Sequence, residues 1–386
     1  MIVEFVFSIG LKLIIYILCI LLLLWLFKEL TMGICQCGTS MKGKVILITG
    51  GHEGLGLETA VELAKRQGKI IIGCQNVRNV KETVLERVPD ADIEVMWLDL
   101  SSKDRVQHFA KEIKAKYEKI DVLINNATVL PKKNGPAGSG RRLAALSKGG
   151  RTKTADGFEL VMGENYFGHV LLNHLLLDIV KRAGDSRTVQ TLQGIVEEDS
   201  EPTNTLESQR NFGANSQSSC SRIIVMSNPV ALGPWANQIY RNNEIIFDNS
   251  SSQSNPLAQY SKSKLAQIMY ASHLAKHLRD ENSNTIVTVF YSGFVPCDWI
   301  DFVPPRLRKT FDVVSYIFGK SLFQGAQTCV HLSVKNFSIK EREDANGRLF
   351  IDCRPNDLFK PWLAKNKVAC QSLWDKTEEV LGLKNL

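Results

Sequence analysis

Tyr260 and Lys264, in the stretch "YSKSK", stand four residues apart. On a helix that spacing puts both side chains on one face, so a phenol and an ammonium project together. A free phenol ionises at about 10 and is a poor base at neutral pH. A cation close by favours the phenolate and makes the pair a competent proton shuttle. The pair is common on amphipathic helices and needs a second signal. That signal is "ITGGHEGLG", residues 48–56, which contains Thr49, Gly50, Gly54, Leu55 and Gly56. Glycines at this spacing remove side chains where backbone must approach a pyrophosphate. They also leave a helix N-terminus open to negative charge.

Other strand ends complete the candidate site. An acid closing the second strand would bind the ribose diol of NAD, whereas an arginine would hold the phosphate of NADP. Cys74 and Gln75 stand there instead, with Arg78 slightly beyond. The lack of an acid favours NADP(H), with NAD(H) left open. Asp99, in "VMWLDL", is positioned either to accept from an adenine amino group or to cap the following helix. Asn126, in "NNA" at 125–127, closes the fourth strand where main-chain and amide groups line a cofactor.

The elements that must hold these residues follow from hydrophobic pattern. "KVILITG", "KIIIGC", "IEVMWLDL", "IDVLINNA", "RIIVMS", "TIVTVFYSG" and "GRLFIDC" are short apolar runs rich in β-branched residues. Helical stretches alternate with them, beginning with "LGLETAVELAKRQG". Such alternation predicts an α/β fold with a Rossmann-type, doubly wound parallel sheet covered on both faces. Two segments break the rhythm: 131–154 is basic and glycine-rich, and 186–221 is polar. Neither can bury enough apolar area to fold alone, so both are expected to be surface insertions. The basic one is either a solvated loop or a contact with anionic lipid.

Residues 5–27, "FVFSIGLKLIIYILCILLLLWLF", are apolar except for Ser8 and Lys12. As a helix the run spans roughly 35 Å, enough to cross a bilayer. It lacks the basic start and the small-residue cleavage site of a secretory signal peptide. Residues 1–30 are therefore expected to be a membrane anchor, 31–43 a linker and 44–386 one catalytic domain. Lys28, Lys42 and Lys44 follow the helix, placing that domain on the cytoplasmic side of a single-pass protein of the endoplasmic reticulum. Asn126 lies in a glycosylation sequon, and a glycan there would block a cofactor; a cytosolic face removes the conflict.

The net charge of +7 is mild, and no arginine–aromatic interleaving suggests nucleic acid. Nine cysteines form no CxxC pair and show no histidine spacing that reads as zinc, so no metal is expected. Their odd number argues against a disulfide framework.

"TGGHEGLG", "LDLSS", "LINNA", "TADGFELVMGENYFGHVLLNHLLL", "YSKSKLAQ", "GAQT", "GRLFIDC" and "LWDKTEEVLGL" occur in this order. Together they resemble the short-chain dehydrogenase/reductases, and more closely their retinol dehydrogenase-like, membrane-anchored branch. The resemblance covers about residues 44–383 outside the two insertions. It implies a tetrad in which the Asn165 backbone holds a proton-relay water, Tyr260 is the acid/base, and Lys264 lowers the tyrosine's ionisation and binds the nicotinamide ribose. "YSGFVPCD" matches the nicotinamide-contacting loop, with Gly293 kept and Ser292 replacing a proline. Two further departures touch the chemistry. Thr128 stands where the family has glycine, and Asn228 stands where it has the substrate-orienting serine. Ser227 is one residue too early and on a regular strand faces the opposite side. The Asn228 amide can still donate a hydrogen bond. The resemblance implies an oxidoreductase acting on a lipophilic small-molecule substrate, a retinoid, steroid or fatty or isoprenoid alcohol, at the membrane. A catalytically weak, cofactor-binding scaffold is the other reading, and a homodimer is left open.

Overall fold

β1 (Val45–Thr49), β2 (Lys69–Cys74), β3 (Ile93–Trp97) and β4 (Val122–Asn125) come from the first third of the chain. β5 (Ser221–Ser227) is buried throughout. A short hairpin follows, β6 (Tyr240–Arg241) and β7 (Glu244–Ile245), then β8 (Thr285–Tyr291), β9 (Leu349–Ile351) and β10 (Arg354–Pro355). The apolar runs of β1, β2, β4, β5 and β8 become strands that are buried on both faces, whereas β3, at the sheet edge, is only partly buried. This is a computed structural model, and it describes residues 2–130, 153–198, 220–247, 256–296, 303 and 305–383.

Eight strands form one sheet in the order β10-β9-β8-β5-β4-β1-β2-β3. Every pairing is parallel except that of the terminal β10. The direction of winding reverses between β1 and β4, and such a switch point opens a crevice beyond the strands' carboxyl ends. This is the Rossmann-type α/β fold expected from the alternation of elements.

Side chains alternate across the sheet. In β1, Leu47 joins the core beneath α4 (Lys103–Lys116), α5 (Gly168–Glu198) and α6 (Pro256–Asp280). Ile46 and Ile48 join the core beneath α2 (Gly54–Ala64), α3 (Val80–Leu85) and α8 (Leu322–Val334). Between these last elements, α7 (Arg308–Phe318) has no buried residue, while α9 (Ile339–Ala345) and α10 (Lys367–Leu381) close the chain.

The expected insertions need trimming. Residues 131–152 and 199–219 lie outside the described residues. Residues 186–198 continue α5 as helix; polar composition forbids burial, but not a helix that outruns the core. Thr154, placed in the first insertion, is buried, and its Oγ1 accepts from the Phe158 N–H at 3.1 Å. Ser221, placed in the second, opens β5 and pairs its hydroxyl with that of Thr285 at 2.8 Å.

The apolar N-terminal run forms one helix, α1 (Ile2–Thr31). Many of its side chains, those of residues 2–9 among them, lie outside the described set. Among the described residues, no helix is long and apolar enough to cross a membrane. α7 packs against α1, and Lys28 Nζ donates to the carbonyl of Gly319 at 3.1 Å.

Candidate active site

The turn from β1 into α2 depends on its glycines for different reasons. Gly50 has φ 68°, and a Cβ on it would lie 2.8 Å from Ala127 Cα at the end of β4. On Gly56 a Cβ would strike the Asn126 side chain and the Gly50 carbonyl. Gly54 differs: its φ is 56°, yet nothing lies within 4 Å of where its Cβ would stand. There the backbone faces open space. The N-cap of α2, Glu53, makes no side-chain capping bond, so the first-turn amides keep their capacity for an anion. These features fit the diphosphate of a dinucleotide.

Asn126 acts as a clamp. Its Nδ2 donates to the Thr49 carbonyl at 3.1 Å, and its main-chain N–H donates to Thr49 Oγ1 at 3.0 Å. Thr49 Oγ1 also accepts from Ala127 N–H at 3.0 Å and meets His169 Nε2 at 2.9 Å. His169 Nδ1 lies 2.9 Å from the Asn165 carbonyl oxygen. A carbonyl only accepts, so the Nδ1 carries the proton, Nε2 is the acceptor, and the Thr49 hydroxyl donates to it. Burial pushes the His169 imidazole down to about 4, with the Lys264 charge adding to the effect, and keeps it neutral.

Asn165 sits in a π-helical turn, Gly163–Phe167, between the "TADGF" turn and α5. Such turns re-aim side chains and often mark functional sites. Its Oδ1 accepts from Val129 N–H at 2.7 Å, while its Nδ2 donates to the Val129 carbonyl and to Ser263 Oγ, each at 3.1 Å. Its main-chain carbonyl, implied by the family resemblance to hold a relay water, accepts from Gln267 Nε2 at 2.6 Å as well as from His169. Both lone-pair directions are in use, so the geometry makes Asn165 a positioning residue for the loop after β4.

Tyr260 and Lys264 lie on α6 as their spacing predicts, both buried, with Nζ 5.7 Å from the phenol ring centre. Lys264 Nζ donates to Thr128 Oγ1 at 2.8 Å and approaches the Met226 carbonyl at 3.5 Å. The threonine that departs from the family's glycine thus supplies an oxygen to the lysine. Thr128 stands out in the sequence only as the departure in "NNAT", with no partner assigned to it, and His169 and Gln267 are site residues that sequence reading did not single out.

Ser227 and Asn228 separate cleanly. Ser227 is fully buried and donates its hydroxyl to the Lys264 main-chain carbonyl at 2.9 Å, which fastens β5 to α6. Asn228 caps a 3-10 turn, its Oδ1 accepting from Val230 N–H at 3.1 Å. That bond orients the amide, whose Nδ2 keeps its capacity to donate.

Gly50, Cys74, Gln75, Leu98, Ala127, Thr128 and Asn165 line one open cleft at the switch point. Gln75 Nε2 donates to Asp99 Oδ1 at 2.8 Å, and the same oxygen accepts from Ser101 N–H and Oγ at 2.9 and 2.7 Å. Asp99 therefore orders the turn before α4, whose N-cap is Ser102. Arg78 is exposed beyond Gln75. Leu55, largely buried, packs where a Cβ on Gly325 would reach it, which brings α2 against α8. Gly293 has φ 83°, and a side chain there would meet Lys320.

The short chain dehydrogenase family model matches residues 44–193. Retinol dehydrogenase 14 of Mus musculus is 30% identical over 360 residues, covering 89% of this chain and 87% of that protein. Retinol dehydrogenase 11 of Homo sapiens is 28% identical over 364 residues, covering 92% and 91%. Among solved structures, an uncharacterized protein from Mycobacterium Paratuberculosis matches with a TM-score of 0.56 at 20% identity, covering 91% of this chain and 98% of that one. RhlG of Pseudomonas aeruginosa, solved as a complex with NADP, matches with a TM-score of 0.51 at 17% identity, covering 81% and 95%. At these identities the solved structures bear on the fold alone, whereas the sequence relatives match nearly the whole length. An alcohol/carbonyl oxidoreductase, this chain belongs to the short-chain dehydrogenase/reductase family, in its retinol dehydrogenase-like branch.

Proposed function

We propose that the protein is a membrane-anchored, NADP(H)-dependent oxidoreductase that interconverts a lipophilic alcohol and its carbonyl. The observation that carries this reading is the Lys264 ammonium held by Thr128 beside the Tyr260 phenol, with Thr128 itself lining the cleft at the switch point. NADP(H) would accept or supply the hydride. The α2 N-terminus would hold its diphosphate, and Arg78, with no acid at 74 or 75, would take the 2′-phosphate. Lys264 stabilises the phenolate form of Tyr260, which returns a proton to the carbonyl oxygen in reduction and removes one from the alcohol in oxidation. Asn228 Nδ2 donates to that substrate oxygen, in place of a serine hydroxyl.

The substrate class rests on the relatives named retinol dehydrogenases and on the apolar N-terminus. Retinoids, steroids and fatty or isoprenoid alcohols partition into bilayers, and a tethered enzyme meets them there. α7 supports the same view: beside α1 it leaves Val313, Val314 and Tyr316 exposed. The lysines after α1 support a cytoplasmic catalytic domain at the endoplasmic reticulum.

The test compares wild type, Tyr260→Phe and Asn228→Ser on one panel of lipid alcohols and aldehydes. Tyr260→Phe should abolish turnover, since phenylalanine transfers no proton. Asn228→Ser should keep or raise it, because the serine hydroxyl puts one oriented donor in place of another, whereas losing the donor altogether costs about 2.7–4 kcal/mol. Wild-type rates in Tyr260→Phe would defeat the proton-shuttle assignment. Silence of all three despite NADPH binding would defeat the substrate class.

A further inference from the structure

The linker after α1 runs in a groove between α8 and the β9–β10 turn. Gly33 has no room for a side chain there, because a Cβ would collide with the Asp352 backbone. Two residues on, the buried Cys35 donates its main-chain N–H to Gln327 Oε1 at 3.2 Å. Cys353, in the turn opposite, directs its thiol to the Gly33 and Gln327 carbonyls, each at 3.5 Å. Gln327 and His331 are one turn apart on α8 and face the linker together. Cys37 Sγ lies 3.6 Å from His331 Nδ1. The Cys35 and Cys37 sulfurs and a His331 ring nitrogen all lie within 4.8 Å of one another.

We propose that Cys35, Cys37 and His331 form a zinc site that fastens the membrane-proximal linker to α8. The ligand types and spacing carry it. With Zn–S of about 2.3 Å and Zn–N of about 2.0–2.1 Å, the sulfur–nitrogen edge of a tetrahedron is roughly 3.5 Å. The Cys37–His331 separation is already that long. Closing the remaining edges asks for side-chain movements of about an ångström, within a backbone that Gln327 and the Cys353 turn hold in place. Two thiolates cancel the charge of the dication, and their two protons pass to solvent as the metal binds. A water completes the tetrahedron, so the set is three protein ligands and one exchangeable position. No expectation of metal arises from the sequence because the histidine lies 294 residues from Cys37. The site takes no part in the Tyr260 chemistry; it holds the segment joining α1 to the sheet.

The experiment uses the full-length protein in detergent with a non-chelating reductant. Co2+ is titrated in, thiolate-to-cobalt absorption is followed, and Zn2+ is then added to displace it. One Co2+ per chain should bind with a thiolate charge-transfer band and tetrahedral d–d bands, both erased by Zn2+. Cys37→Ser and His331→Asn should each weaken binding by more than the ~10–100-fold typical of a disturbed outer-shell partner. Cys370→Ser, in α10, should leave it unchanged. Absence of the charge-transfer band in wild type overturns the proposal without recourse to any variant. So does wild-type affinity in either ligand variant, or loss of binding in Cys370→Ser while that protein still binds NADPH.

Discussion

A single hydroxyl carries more of the chemistry than its place in the motif suggests. Thr128 replaces a glycine, yet its Oγ1 accepts from Lys264 Nζ at 2.8 Å. A hydrogen bond to a charged group contributes about 1.5–3 kcal/mol. Thr128→Val, which keeps the shape and removes the oxygen, should therefore lower kcat by roughly 10–100-fold, with Thr128→Ser close to wild type. Equal rates for threonine and valine would mean the lysine is oriented by other partners. His169 makes a separate prediction about pH. Its folded-state value is pushed down to about 4 by burial, so the folded protein refuses a proton that the unfolded chain accepts. Its contribution is complete above about pH 6.5 and is lost as pH falls from there towards about 4, on the order of 3 kcal/mol in all. Denaturant unfolding of His169→Gln should be less stable at pH 7 but show a shallower loss between neutral and acid pH. An unchanged slope would show that other groups carry it.

At the scale of one element, the β1–α2 turn separates two kinds of glycine requirement. Gly56 is pressed against the Gly50 carbonyl and Asn126, so Gly56→Ala forces the turn apart. Overpacking of that kind costs about 1–3 kcal/mol. Gly54 has room for a methyl group but a left-handed φ of 56°. Gly54→Ala should cost only about 1–2 kcal/mol of stability, while placing a methyl group where the diphosphate approaches. Thermal unfolding and NADPH titration, run together, should thus find Gly56→Ala impaired in both and Gly54→Ala impaired mainly in binding, tenfold or more. NADH should bind the wild type more weakly than NADPH. Wild-type NADPH affinity in Gly54→Ala would remove the diphosphate from this turn.

Across the whole molecule, the proposed membrane placement rests on the N-terminal helix and the surface beside it. α1 joins the domain through Lys28, which donates to the Gly319 carbonyl at the end of α7. α7 in turn exposes Val313, Val314 and Tyr316. If both sit at a bilayer, carbonate extraction should leave the full-length chain in the membrane pellet, and protease should reach its C-terminus in intact microsomes. Replacing Val313 and Tyr316 with serine should lower turnover of an alcohol presented in vesicles several-fold and spare a water-soluble one. Carbonate release, or equal effects on both substrates, would separate the enzyme from the membrane.

Local pattern determines a good deal of this protein. Strand-length apolar runs place β1, β2 and β5 to within a residue and β8 to within two, because burial on both faces demands such runs wherever they fall. The glycine turn and the Tyr260–Lys264 pair are likewise legible, since each depends on spacing within one or two elements. Polar composition misled at 186–198, where helix continues beyond the core. What the tertiary structure alone decides is which distant atoms meet. Thr128 and Lys264 are 136 residues apart, Thr49 and His169 are 120 apart, and Cys37 and His331 are 294 apart. Sheet order and strand register bring them together, and neither is written in any local period. The same holds for Ser227 and Asn228. Alternation along the strand says that they face opposite ways, but only the packing of α6 against β5 determines that Ser227 spends its hydroxyl on Lys264's backbone, while Asn228 caps the 3-10 turn that follows.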